Sequence, residues 1–153
     1  METQQKIIAL GADHNGITLK SKLIRHLEKK GFRCIDIGPS NKKQPVDYSD
    51  FAKQVAHLVA NKEAHFGILI CGTGIGMSIA ANKIRNARAA LVHNVLSAKK
   101  SREHNNANIL CLGSWINNDK VNLSLTNTWL NEPFGEGRHV RRVEKIEESM
   151  MLS

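Results

Sequence analysis

Apolar runs that alternate with amphipathic stretches, a glycine loop set directly behind one of those runs, and a length suited to one hydrophobic core predict an α/β fold. The expected architecture is a single-domain, doubly wound, Rossmann-like parallel sheet of five strands, with helices on both faces and a C-terminal helix. At 153 residues and 41% hydrophobic content the chain can bury such a core, and residues 1–153 are read as one domain. Parallel order follows from the alternation, because each return to the starting edge of the sheet needs a helical crossover.

The first strand is expected at residues 6–11, where an apolar run of Ile, Ile, Ala and Leu stops at Gly11. Residues 17–30 then read as an amphipathic helix. Residues 32–37 return to strand and residues 48–61 to an amphipathic helix. Residues 66–71 are continuously apolar, as a strand covered on both faces should be. A helix is expected from about 76 to 84, a strand at 88–92, a helix around 97–103 and the fifth strand at 108–112. Residues 121–130 read as a further helix, and after the turn at 133–137 the highly charged residues 139–151 read as a last one. The longest irregular stretch is 38–47, and no internal repeat, low-complexity tract or linker interrupts the pattern.

Chemistry concentrates at residues 68–83, where an apolar strand ends on Cys71 and meets a glycine loop that opens a helix. Gly72, Gly74 and Gly76 alternate with Thr73 and Ile75, so the backbone can turn sharply and aim several N–H groups at one point. The positive end of the following helix adds to that field, which favours an anion and a thiolate at Cys71. A base or nucleophile beside an anion cradle suits a reaction that develops negative charge. Packing alone would also accept three glycines and a core cysteine at this place.

Lysine and arginine total 22 against 14 acids, a formal charge of +8, and the cations are spread through the chain at Lys20, Lys22, Arg25, Lys53, Lys83, Arg88 and Lys120. An anionic ligand fits this balance. Nucleic acid fits it less well, because aromatics make up only 5% of the chain and no basic-aromatic stripe is present. No apolar run approaches the ~20 residues of a membrane span, and residues 1–5 are too polar for a signal-peptide core. Cys34, Cys71 and Cys111 are an odd set without CxxC spacing, as expected of reduced thiols in a cytoplasmic protein. His26, His57, His65 and His93 lack ligand spacing with carboxylates or thiols; they read as surface residues, and no metal site is expected.

Six motifs in order carry a more specific reading: Asp13-His14-Asn-Gly, Asp47-Tyr48, Cys71-Gly-Thr73-Gly-Ile-Gly, Ala80-Ala81-Asn82-Lys83, the run 101–108 of sequence SREHNNAN, and Gly137-Arg138-His139. In these, from residue 6 to about residue 144, the chain resembles the type B ribose-5-phosphate isomerases, whose wider family includes galactose-6-phosphate isomerase subunits. The resemblance implies a doubly wound homodimer, sometimes paired into a tetramer, that interconverts phosphorylated aldoses and ketoses without metal or cofactor. It assigns Cys71 as the base that moves a proton between C1 and C2. In relatives that use a glutamate six residues further on, the equivalent position is Met77 here, so no carboxylate competes. Thr73 and the loop of Gly72, Gly74, Ile75 and Gly76 would hold the enediolate oxygen, where one such donor is worth about 3 to 4 kcal/mol. His104 would open the sugar ring from the neighbouring subunit and Asp13 would assist, with His14 and Asn105 beside the substrate. Arg138 and Arg142, four apart, would take the phosphate. Without the resemblance the same arginines read as a solvated charge run, and His139 and Arg141 have no assigned part.

One position departs from the pattern. Where ribose isomerases usually carry an arginine reaching a phosphate across the dimer, this chain has Trp115, which offers one N–H and a large apolar face. Alternative substrates therefore stay open at this point: allose 6-phosphate, galactose 6-phosphate or a tetrose phosphate. A flavodoxin-like nucleotide-binding module and a nucleic-acid-binding protein are the readings from other classes.

Overall fold

The computed structural model describes residues 4–40 and 46–149. Within them the strands are β1 (Ile7–Ala12), β2 (Arg33–Gly38), β3 (Phe66–Cys71), β4 (Ala89–Leu91) and β5 (Ile109–Gly113). The helices are α1 (Ile17–Lys29), α2 (Tyr48–Ala60), α3 (Ile75–Ala81), α4 (Val95–Glu103), α5 (Asp119–Asn131) and α6 (Arg138–Ser149). The strands pair in the order β2-β1-β3-β5-β4, and every pair is parallel. The expected α/β architecture is the one observed.

Burial explains why the central strands are apolar throughout. Ile8, Leu10, Ile68, Ile70, Leu110 and Leu112 face one layer, where Leu19, Leu23 and Leu27 of α1 and Leu125 and Trp129 of α5 meet them. The alternate residues Ala9, Leu69, Ile109 and Cys111 face Ala52, Val55, Ala56 and Val59 of α2 and Met77 of α3. Each fully buried Leu or Ile contributes about 1.5–3 kcal/mol relative to exposure. Trp129, wholly buried, donates its indole N–H to Ser101 Oγ at 3.1 Å. Lys20 is not a free cation: it is buried in α1, with Nζ 2.6 Å from Asp36 Oδ1 and 2.8 Å from the Pro39 carbonyl.

Several boundaries shift from their expected places, each for a local reason. The helix expected over 76–84 spans Ile75–Ala81, because Asn82 turns its side chain onto the outer edge of β4. Its Nδ2 donates to the Ala89 carbonyl at 2.9 Å and its Oδ1 accepts the Ala89 N–H at 2.8 Å. The strand expected at 88–92 is correspondingly short. Helix α4 begins at Val95 rather than at residue 97, since Asn94 caps it and Ser97 returns the bond as the third helical residue. Helix α5 begins at Asp119, ahead of residue 121, because Asn118 Oδ1 accepts the Val121 N–H. The last helix starts one residue early, at Arg138, and the end expected at 151 lies outside the described residues, as does 41–45 of the irregular stretch.

From β1 the chain crosses to β2 on one side, while β3 and β5 lie on the other, so the loops leaving β1 and β3 diverge. Ligands of open parallel sheets bind at such a reversal, beyond the carboxyl ends of the strands. Asp13 and Cys71 stand there.

Candidate active site

Ile70 pairs with Ala12 and Cys71 with Gly113, so the three strand ends bring Asp13, Cys71 and the segment after β5 into one row. Asp13 is buried; its N–H donates to the Ile70 carbonyl at 3.0 Å and its Oδ1 accepts the Asn15 N–H at 2.8 Å. Beside it, His14 has a buried Nδ1 with no hydrogen-bond partner in the structure. A buried polar atom without a partner is costly, and a ligand atom would satisfy it.

Cys71 is 5% exposed, and the Gly74 N–H donates to its Sγ at 3.1 Å. Gly74 is the residue before α3 and holds φ +81°, a left-handed conformation that glycine takes without steric cost. Thr73 Oγ1 accepts the Ile75 N–H at 3.2 Å, which leaves the hydroxyl its own proton to donate. Two of the loop N–H groups expected to face a ligand are thus engaged, one with the sulfur and one with that hydroxyl. The other two thiols are held in their protonated form more firmly than an ordinary thiol. Cys111, fully buried, is pushed well above the usual thiol range by desolvation and by the nearby Cys71; Cys34 is pushed up to about 11, first by burial and then by Glu28 and Asp36.

Three side chains close around this loop. His93, read from sequence as a surface residue, is half-buried at the end of the β4 segment, with Nε2 3.0 Å from the Thr73 carbonyl. Facing a carbonyl, that nitrogen carries the proton and donates, which steadies the Thr73 backbone. Tyr48, at the start of α2, lies against Gly76 so closely that a Cβ there would come within 2.6 Å of its ring. Trp115 donates its backbone N–H to the Gly72 carbonyl at 2.9 Å and lays its indole over Gly72, where a Cβ would meet the ring at 2.6 Å. That indole is 69% exposed at the mouth of the site.

The sequence profile of the Ribose/Galactose Isomerase family matches residues 8–146. The chain belongs to this ribose/galactose isomerase family. It is 43% identical to the ribose-5-phosphate isomerase B of Escherichia coli K12, over 92% of this chain and 94% of that protein. Among solved structures, Clostridium thermocellum ribose-5-phosphate isomerase B superposes with a TM-score of 0.93 at 44% identity, covering 95% of this chain and 98% of that one. The Mycoplasma genitalium enzyme, solved with bound ribulose-5-phosphate, gives 0.94 at 40% identity over 99% and 100% of the two chains.

In this member of the isomerase family the remaining expected residues form a second cluster. His104 ends α4, which runs back from the Cys71 edge of the sheet over nine residues, about 13 Å of helix at 1.5 Å per residue. It stacks on His139 with ring centroids 4.4 Å apart and planes 17° from parallel, and its Nε2 lies 3.6 Å from Glu103 Oε1. His139, given no part from sequence, is buried; desolvation, then His104, Arg138 and Arg142, hold it below the usual histidine range, against a smaller pull from Glu103. Arg138 and Arg142 are exposed one turn apart on α6, and Asn105 is exposed after His104. One copy of the chain brings Asp13, His14 and the 71–76 loop together, and separately His104, Asn105, Arg138 and Arg142. It does not join the two groups. Among the described residues no cluster of three or more His, Cys, Asp or Glu side chains is set to hold a metal, and no helix is long and apolar enough to cross a membrane.

Proposed function

We propose that this protein is a metal-independent aldose-ketose isomerase that interconverts ribose 5-phosphate and ribulose 5-phosphate through an enediolate, as a cytoplasmic step of the non-oxidative pentose phosphate pathway. The carrying observation is the Cys71 sulfur held by the Gly74 N–H, next to a Thr73 hydroxyl with a proton to give and a His14 nitrogen without a partner. The bound ribulose-5-phosphate of the Mycoplasma genitalium relative supports the substrate class, and the free thiols support a reducing compartment.

Cys71, as thiolate, takes the proton from C2 of the open-chain aldose. The C–H electrons form the C1–C2 double bond and the C1 carbonyl oxygen takes up the charge, which the Thr73 hydroxyl and the loop N–H groups stabilise. Return of the proton to C1, with the proton of the C2 hydroxyl passing to the C1 oxygen and the C2–O bond becoming the new carbonyl, gives the ketose. Ring opening needs an acid-base near the ring oxygen, and the imidazole of His104 takes that part. Because His104, Arg138 and Arg142 lie apart from Cys71 in one copy, they serve the site of a second copy, so the active unit is a homodimer, free or paired into a tetramer.

The test is ribulose 5-phosphate formation from ribose 5-phosphate with EDTA present, in wild type and Cys71→Ala. Loss of a general base costs about 10²- to 10⁴-fold, and a loss of that size in a folded mutant is the expected result. Wild-type turnover that vanishes with EDTA, or a fully active mutant, would reject the mechanism.

A further inference from the structure

We propose a second anion site, for a small molecule carrying a diphosphate group, in the cavity at the amino-terminal edge of the sheet. This cavity, of about 700 Å³, is bounded by the segments that enter β1, β3, β4 and β5 and by those that leave α2 and α4. Small-molecule sites run from about 300 to 1,000 Å³, so it has room for such a ligand. It opens at the opposite end of the strands from Cys71, and none of His104, Asn105, Arg138 or Arg142 lines it.

Its walls carry Lys6, Lys62, Arg88 and Arg102, and no aspartate or glutamate among the described residues lines it. Arg102 is the informative member. It is 9% exposed, and its bonds run to the Ala107 carbonyl at 2.6 Å, Asn106 Oδ1 at 3.2 Å and the Glu132 carbonyl at 3.3 Å. All three are neutral acceptors, so this buried charge has no ion pair among the described residues. Arg88 is tied to the same residue, its Nε donating to the Asn106 carbonyl at 3.0 Å, while one of its terminal nitrogens meets Glu147 Oε1 at 2.8 Å. Asn106 therefore holds two guanidinium groups together, and the single carboxylate bound there belongs to one of them. Burial and the neighbouring Arg88 push Arg102 below its usual range, more than Glu132 restores it. Like charges held close and partly desolvated favour an anion between them.

Two further features point the same way. Lys6 Nζ and the Arg102 guanidinium approach the same ring, Phe66, at 5.6 and 5.1 Å from its centroid. His65 accepts the Ile7 N–H on Nδ1 at 2.9 Å, so its neutral ring carries the proton on Nε2, another donor on the wall. Two cations at the inner end and two lysines at the rim match two phosphoryl groups.

Pyrophosphate titrated calorimetrically is the probe, using Arg138→Ala/Arg142→Ala protein so that the α6 arginines cannot report. The expected result is binding that weakens with added salt and falls about tenfold or more when Lys6→Glu and Lys62→Glu are added, with an unchanged circular dichroism spectrum. Both lysines are exposed, so the fold survives their replacement. Absence of binding in the starting protein, or equal affinity after the two charge reversals, would overturn the site. Neither readout depends on isomerase turnover.

Discussion

Gly74 shows how much one residue without a side chain can fix. It takes φ +81°, gives its N–H to Cys71 Sγ, and approaches so closely that a Cβ would lie 2.7 Å from Leu91 Cδ1 and 3.1 Å from the Leu112 carbonyl oxygen. The left-handed backbone alone costs a non-glycine residue about 1–2 kcal/mol. Gly74→Ala is expected to lower stability by about that amount and to depress kcat more than it raises KM, because the loop must withdraw its donor from the sulfur. Unchanged turnover with an unchanged urea midpoint would contradict this reading. At this scale the sequence was informative where chemistry is local: a cysteine followed by alternating glycines announces itself. His93 and Tyr48 reach the loop through tertiary packing, and a lone histidine after a strand carries no local mark of its neighbour. Trp115 was conspicuous as a departure, but its seat on Gly72 depends on the turn that follows β5.

Among the elements, α6 couples the second cluster to pH. Its His139 packs against His104 and is held below the usual value of about 6.5, so the folded chain binds fewer protons there than the unfolded chain does. Stability from this residue is present above that value and lost as pH falls through it. His139→Phe keeps a ring for the stack and removes the titration; the loss of stability between about pH 7.5 and pH 5.5 is expected to be smaller in the mutant, read by urea unfolding at each pH. Equal losses would rule the residue out as the source. Element types were readable because hydrophobic period distinguishes strand from helix, whereas their starts were set by caps. The helix expected from about Ser97 starts two residues earlier; in the structure Ser97 is the third helical residue, answering Asn94. Asn82 likewise resembled helix interior until its edge contact gave it another use.

Across the whole molecule, the order β2-β1-β3-β5-β4 sets Asp13 and Cys71 side by side and sends His104 to the far end of α4. Alternation revealed the fold class, but nothing in the sequence ranks β4 outside β5, since that order is decided by long-range pairing. If two copies complete each site, Cys71→Ala and His104→Ala proteins, each inactive alone, regain about a quarter of wild-type activity when refolded together as equal mixtures, because half the dimers are mixed and each mixed dimer has one intact site. No recovery, with mixed dimers demonstrated, would place both residues in one subunit's site. The exchanged strand order also leaves β4 as one of the two edges of the sheet, only three residues long. There Asn82 answers both backbone groups of Ala89 with its side-chain amide, in place of a further strand, of which none is found beyond β4 among the described residues. An exposed rim is where foreign chains add on and fibrils begin. One amide just past a shortened helix thus occupies both outward backbone groups at Ala89, where an added strand would have to pair.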